Sequence, residues 1–248
     1  MTDSHAHLDA CEESAAALVE RAQAAGVTRI VTIGTGIESC RAALAIADGH
    51  DGVFAVLGVD PHQAATQEAG RLAELRELLA HPKVVAVGET GLDTVRRYAT
   101  PIEQRRLFDA QLTLADELSL PVVVHSREAA SDTAEALAPF RGTVILHCFS
   151  SPELLPAALE RGYYVSFAGN ATYPQGRKLR DAAREVPADS SLVETDSPYL
   201  APQPVRGRRN EPANVVHTIA VLAAARGEEP ESLAERTHEN AATAFGFQ

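Results

Sequence analysis

The chain has 248 residues, of which 34 are acidic and 22 are Lys or Arg, giving a formal net charge of −12 at pH 7. This balance argues against a protein that coats nucleic acid with a broad basic surface, although a locally positive site stays compatible with it. Cys11, Cys40 and Cys148 indicate neither a disulfide framework nor a thiolate metal site, because their count is odd and no Cys-x-x-Cys spacing occurs. With no signal-peptide pattern and no apolar run near the ~18 residues of a membrane span, we expect a cytoplasmic protein without membrane segments.

Short apolar, β-branched segments alternate along the chain with longer stretches of helical periodicity, the pattern of a parallel sheet with crossover helices. Eight segments are predicted as strands, at residues 2–5, 29–33, 53–59, 84–89, 121–125, 144–147, 164–167 and 192–196. No linker, repeat or low-complexity block interrupts this alternation. The sequence therefore predicts an α/β fold, a single-domain (β/α)8 TIM barrel over residues 1–248.

Two of the predicted helices have recognisable ends. Thr100, Pro101 and Glu103 have the spacing of a capping box with proline at the first helical position, which predicts a helix from there to Leu118. The first helix is predicted over residues 12–25, and it ends where Gly26 suits a left-handed conformation.

Polar side chains that can bind metals follow the predicted strands. His5 and His7 lie on the same face of the first strand, because side chains alternate between faces. In a (β/α)8 barrel the chemistry lies at the carboxyl ends of the strands. Six imidazoles and carboxylates converge there: His5, His7, Glu89, His125, His147 and Asp196.

These six groups predict two divalent cations, since one cation needs only three or four ligands. We assign His5, His7 and Asp196 to one cation. His125 and His147 hold the other, and Glu89 lies between them, because a carboxylate can bridge two ions about 3.5–4 Å apart. Zn²⁺, Mn²⁺ and Mg²⁺ all accept this donor set. The alternative for the six groups is a buried cluster without metal, whose polar groups satisfy one another away from water. The alternative for His5 and His7 taken alone is that they are surface residues near a frayed terminus.

The one basic cluster of the sequence follows the last strand and contains Arg206, Arg208 and Arg209. Such clusters are either solvated loop residues or contacts for phosphate groups, and both interpretations stay open.

Several motifs resemble the TatD family of metal-dependent deoxyribonucleases, in the amidohydrolase-like barrel superfamily. They are HAHLD, VGETGLD, VVVHSREA, LHCFSS and LVETDSPYLAPQPVRGRRNEPANV, in this order, and the similarity continues to the terminal ENAATAFG. The resemblance implies the same six metal-binding positions and hydrolysis of phosphodiester bonds in DNA. Two positions depart from the family pattern: Asp60 replaces the first histidine of a common His-Pro-His motif, and Thr94 replaces a residue that is commonly aromatic.

For this chemistry we expect Asp196 to accept the proton of the attacking water and Glu89 to set the spacing of the cations. His62, which follows the third strand, is expected to contact phosphate and is the next candidate for the base. Arg127 and Arg208 are further candidates for phosphate contact.

The expected substrate is DNA, single-stranded or at its ends, and we expect a monomer. One alternative is an amidohydrolase-type enzyme that hydrolyses C–N or C–O bonds in small molecules, because the barrel alone does not choose between them. Another is a metal-binding protein without catalysis, against which the intact Asp196 argues.

Overall fold

The computed structural model describes residues 1–247, and within that range eight parallel strands form one sheet in chain order. They are β1 (Thr2–Ala6), β2 (Arg29–Gly34), β3 (Val53–Leu57), β4 (Val84–Asp93), β5 (Val122–Arg127), β6 (Val144–Leu146), β7 (Tyr164–Phe167) and β8 (Ser191–Val193). The sheet curves into a nearly closed barrel of one domain, so the predicted (β/α)8 fold is confirmed. The predicted domain boundary falls on Gln248, which lies outside the described residues.

Helices surround the barrel: α1 (Ala15–Ala24), α2 (Ile37–Asp48), α3 (Leu72–Leu78), α4 (Pro101–Leu118), α5 (Ala130–Leu137), α6 (Leu155–Arg161), α7 (Arg177–Glu185), α8 (Val215–Arg226) and α9 (Pro230–Phe245). The predicted limits of α4 are confirmed, because Thr100 accepts the Glu103 N–H while the Glu103 carboxylate accepts the Thr100 N–H. The predicted start of α1 is wrong by three residues, since the Ser14 side chain accepts the Ala17 N–H and caps the helix there.

No helix in the described part of the chain combines the length and apolar character needed to cross a membrane.

The barrel closes between its first and last strands. The His7 N–H donates to the Ser197 carbonyl at 2.7 Å, and the Asp196 N–H donates to the His5 carbonyl at 2.9 Å. These bonds bring the two ends of the sheet together next to the polar strand ends. The two histidines near the amino terminus therefore face a carboxylate that lies almost 200 residues later in the chain.

An apolar cluster fills the barrel below these polar strand ends. It contains Val31, Ile33, Val56, Val85, Ala86, Val123, Ile145 and Leu192 from the strands, together with Ala241, Ala244 and Phe245 from α9. Phe245 also lines a cavity together with Pro82 and Pro121, which lie just before β4 and β5. Helix α9 therefore covers the amino-terminal end of the barrel and leaves the opposite end open.

Candidate metal centre

The first half of the centre is built from the closure of the barrel. The Nε2 atoms of His5 and His7 are 3.3 Å apart, and Oε2 of Glu89 lies 3.5 and 3.7 Å from them. Oδ1 of Asp196 lies 3.4 Å from His7 Nε2 and 3.9 Å from His5 Nε2. Two imidazoles and two carboxylates thus point at one small volume.

The second half uses the other oxygen of the same carboxylate. Oε1 of Glu89 lies 2.9 Å from His125 Nδ1 and 3.1 Å from His147 Nε2, and these two nitrogens are 3.2 Å apart. Glu89 therefore turns one oxygen towards each histidine pair. The structure brings together all six residues that the sequence analysis selected.

The spacing of these donors fits cation binding. Ligands 2.0–2.1 Å from a tetrahedral ion are about 3.3–3.4 Å from one another. The nitrogens of both histidine pairs are separated by this distance, and so are His7 Nε2 and Asp196 Oδ1. Over residues 1–247, donor atoms that all lie within 4.8 Å of one another occur in three groups, His5–His7–Asp196, His5–Glu89–His147 and His62–Asp93–His125.

Ionised carboxylates lie beside His7, His125 and His147, whose pKa values are raised despite burial, whereas burial lowers the pKa of His5. Burial alone would raise the pKa of Glu89, but the surrounding histidines, His147 foremost, hold it well below its ordinary value. Burial opposes charge on His147, yet Glu89 and Glu194 raise its pKa well above the ordinary value. Burial would also raise the pKa of Asp196, but the hydrogen bond and the charge of His7 lower it below its ordinary value. Divalent cations and protons would therefore compete for the same nitrogens.

Two carboxylates behind the histidines were missed by the sequence analysis. Asp93 Oδ2 lies 3.4 Å from His125 Nε2, and Glu194 Oε1 lies 3.4 Å from His147 Nδ1. Carboxylates in this position orient a ligating imidazole and increase its basicity. The available signal was the two-residue periodicity, because Glu194 precedes Asp196 by two positions and Asp93 follows Glu89 by four.

His62 lies beside the centre, between two carboxylates. Its Nδ1 is 3.2 Å from Asp60 Oδ2, and its Nε2 is 3.0 Å from Asp93 Oδ2. Asp60, followed by Asp93, raises the pKa of His62 to about 9 against the effect of burial. At neutral pH the imidazole is therefore a cation whose two ring nitrogens face Asp60 and Asp93, so it does not suit the role of base that we considered for it. Its contact with phosphate stays a prediction.

The strand ends open into a cavity of about 630 Å³. Arg127, which the sequence analysis selected, lines this cavity together with Arg96, which it did not select. Arg206 lies over the Tyr173 ring at 3.7 Å, and Arg209 pairs with Glu12.

Asp196 and Cys148 enter the cavity from a left-handed backbone, with φ of 55° and 44°. Few residues other than glycine adopt this conformation, and it concentrates at functional sites. At Asp196 it is held by two backbone bonds, from its own N–H to His5 and from the Tyr199 N–H to its carbonyl. These contacts orient the carboxylate towards the histidines after β8 has ended.

A barrel that presents two histidine pairs around a shared carboxylate has the architecture of the metal-dependent hydrolases. The family model described as TatD related DNase matches residues 2–246. The chain therefore belongs to the TatD family.

Individual relatives agree with this assignment. A Mycobacterium tuberculosis protein described as an uncharacterized metal-dependent hydrolase TatD is 39% identical over 261 residues, covering 100% of this chain and 98% of its own length. A Cronobacter sakazakii protein named 3'-5' ssDNA/RNA exonuclease TatD is 38% identical over 237 residues, covering 92% of this chain and 90% of its own. The crystal structure of YjjV, a TatD homologue from Escherichia coli, has a TM-score of 0.91 and 32% identity, covering 100% of this chain and 98% of its own.

Proposed function

We propose that this protein is a divalent-metal-dependent deoxyribonuclease, acting on phosphodiester bonds of single-stranded DNA or of DNA ends. The observation that carries the proposal is the position of Glu89, whose two oxygens each face a histidine pair at ligand spacing. The relatives named as exonucleases support the choice of nucleic acid as substrate.

In this proposal the six residues hold two cations, His5, His7 and Asp196 on one side and His125 and His147 on the other, with Glu89 shared. Cations held by these residues would lower the pKa of water towards neutrality and would neutralise the charge of a phosphodiester. Asp93 and Glu194 fix the orientation of the second histidine pair. Activity assays with Zn²⁺, Mn²⁺ and Mg²⁺ in turn determine which of these cations the protein uses.

Other side chains around the cavity have separate roles in proton transfer and in phosphate binding. Asp196, ionised and 3.4 Å from His7, accepts the proton of the attacking water. His62 holds a positive charge at neutral pH, and together with Arg127 and Arg96 it faces the cavity in which a phosphate group would lie. With the carboxylates of the centre engaged by cations, Arg96 and Arg127 would favour an anionic phosphodiester over a neutral amide or lactone.

Metal removal tests the class of reaction. We expect exhaustive chelation to abolish hydrolysis of an end-labelled single-stranded oligonucleotide, and we expect Mg²⁺, Mn²⁺ or Zn²⁺ to restore it. Cyclic amides and lactones, assayed with the same metal-loaded preparation, serve as the comparison. Undiminished DNA cleavage after chelation would refute the proposal, as would turnover of the small molecules alone.

The role of Asp196 is tested with Asp196→Asn, which keeps the shape of the side chain and one oxygen but removes the base. General base catalysis contributes roughly 10²–10⁴ in rate, so single-turnover cleavage should fall by about that factor. Metal content, measured on the same preparation, should retain the cation on His125, His147 and Glu89. Asp189→Asn, at an exposed position before β8, is the control. Cleavage within about threefold of the parent would remove Asp196 from this role.

A further inference from the structure

Exposed apolar side chains are concentrated beside the mouth of the barrel. Among the described residues, the large hydrophobic side chains that are exposed are Val95, Tyr98, Ile102 and Tyr199, at 48%, 66%, 81% and 55%. Tyr199 lines the mouth itself, with its ring edge-on to His7 at 5.7 Å. The other three lie between β4 and the first turn of α4. Single exposed apolar residues are ordinary, but three on one short segment need an explanation.

Three neighbouring cavities, here together called the groove, share lining residues along this segment. Asp93 lines both the cavity over the metal centre and a neighbouring cavity of about 510 Å³, which also contains Arg97 and Tyr98. Thr94, Pro101 and Gln104 connect the second cavity to a third of about 510 Å³, beside Ile102 and Arg106. The Tyr98 ring is edge-on to His62 at 5.8 Å, so it lies where the groove meets the mouth.

Arginine is concentrated in the segment beside the groove, although Asp93, Glu103, Asp109 and Asp132 also line the groove itself. Residues 94–108 contain four arginines and one acidic residue, Glu103, whereas the whole chain carries a net charge of −12. Arg105 pairs with Asp109 and Glu135. Arg96, Arg97 and Arg106 are exposed, and no acidic side chain of the described residues lies within ion-pair distance of them.

We propose that residues 94–106 form a binding track for a single strand of DNA that leads to the metal centre. This inference rests on the proposed nuclease function and specifies how the substrate is held. A base stacks on Tyr98 at the entrance, Val95 and Ile102 contact the following bases, and Arg96, Arg97 and Arg106 contact backbone phosphates. The track begins at Thr94, where the sequence departs from the family pattern.

The chemistry of the groove selects a single strand over a duplex. An exposed aromatic ring binds any unpaired base by its face, whereas the bases of a duplex are already stacked on one another. Unpaired arginines beside such a ring follow the charged backbone without reading the sequence.

The experiment compares a 12-nucleotide single strand with a dinucleotide, which is too short to occupy the track. Tyr98→Ala and the double variant Arg97→Ala/Arg106→Ala should reduce the ratio of kcat/KM for the 12-mer to that for the dinucleotide by at least about fivefold. Tyr98→Phe should keep the parent ratio, because the ring is retained. Arg141→Ala removes an exposed arginine at the opposite end of the barrel and is the control for loss of a positive charge away from the track.

Binding separates this inference from the nuclease function. Fluorescence anisotropy with a phosphorothioate-linked 12-mer should show weaker binding for Tyr98→Ala, with no comparable loss for the blunt duplex. The double arginine variant should flatten the plot of log Kd against log salt by about 0.7 per lost phosphate contact. If the parent hydrolyses no DNA but these binding changes occur, the track stands without the nuclease. Unchanged ratios and unchanged binding overturn the track even when DNA is cleaved, and equal losses for single strand and duplex overturn the stacking at Tyr98.

Discussion

Asp60 gives His62 a property that the imidazole alone does not have. The ordinary pKa of histidine is near 6.5, so an isolated imidazole is mostly neutral at pH 7.5. Between Asp60 and Asp93 the pKa of His62 is about 9, and the positive charge persists through neutral pH. Asp60 thus replaces the first imidazole of the His-Pro-His pattern with a carboxylate that keeps His62 charged.

Removing the charge of Asp60 tests this role. In Asp60→Asn the pKa of His62 should fall towards its ordinary value, because Asp60 is the main cause of its increase. The charge on His62 would then be lost at lower pH, and KM for a single-stranded oligonucleotide should begin to rise at a lower pH than in the parent. A pH profile of KM and kcat between pH 6 and 10 measures the shift.

His62→Gln is the reference for this experiment, since it has no titrating group at any pH. If His62 contacts phosphate, this variant should have a raised KM that lacks the alkaline rise seen in the parent. An alkaline rise that is the same in parent, Asp60→Asn and His62→Gln would show that another group causes it.

At the scale of strands and helices, the pattern of the sequence predicted the order and the type of the elements. Buried parallel strands are nearly continuous apolar runs, so their positions are visible without any knowledge of their neighbours. The capping box at Thr100 and Glu103 is equally local and located α4 correctly. The three-residue error in α1 arose because the acidic residues before Ser14 resemble a first helical turn.

The position at which β4 ends could not be predicted from the local sequence. Glu89 followed by Gly91 reads as a turn, yet the strand continues to Asp93 because Gly91 pairs with His125 on β5. Asp93 was therefore not recognised as a partner of His125 and His62. Pairing between distant strands decides where such a strand ends, so the spacing from Glu89 to Asp93 is informative only once the strand is known to continue beyond Glu89.

Gly91 is the position where this pairing needs a glycine. Its φ is +136°, and a Cβ there would lie 2.0 Å from the carbonyl oxygen of His125. Gly91→Ala should destabilise the protein by more than about 1 kcal/mol. For a chain of this size that lowers Tm by at least roughly 2–4 °C. Because β4 also carries Glu89 and Asp93, bound metal per chain should fall as well.

The matched control is Gly70→Ala, since a Cβ at Gly70 would have no atom within 4 Å and its φ is not positive. Calorimetry and metal analysis of both variants decide the question. Equal Tm and equal metal content in Gly91→Ala and the parent would show that β4 and β5 tolerate a side chain there.

At the scale of the whole molecule, the centre draws together residues from both ends of the chain. Asp3 is buried at the closure, and its carboxylate accepts the Thr195 N–H at 2.8 Å. Asp3 lies two residues before His5, and Thr195 lies one residue before Asp196. Closing the barrel and forming the centre are therefore the same event. Cations that bind only the folded chain should stabilise it as a whole, by about 2.7 kcal/mol at a free concentration one hundred times Kd.

The dependence of this stabilisation on pH follows from the histidines. Burial disfavours charge on His147, His125 and His7, but neighbouring carboxylates raise the pKa of each. Groups with a raised pKa in the folded state stabilise it below their unfolded pKa of about 6.5, and this contribution is lost as pH rises through the folded pKa. The Tm of the chelated protein should therefore fall as pH increases from 6 to 9. Metal binding has the opposite dependence, because protons leave the ligating nitrogens as pH rises.

We accordingly expect the Tm curves of chelated and metal-loaded protein to converge near pH 6 and to separate as pH increases. At saturating cation the gap at pH 8 should reach at least roughly 5–10 °C, from about 2.7 kcal/mol and 2–4 °C per kcal/mol. Glu89→Gln removes the carboxylate between the histidine pairs, and the gap should shrink at every pH because both cations lose a charged ligand. His50→Ala, in the turn before β3, should keep the parent curves. Curves that coincide from pH 6 to 9 in the parent would show that these histidines and carboxylates hold no cation, and that their ionisation stabilises the barrel by itself.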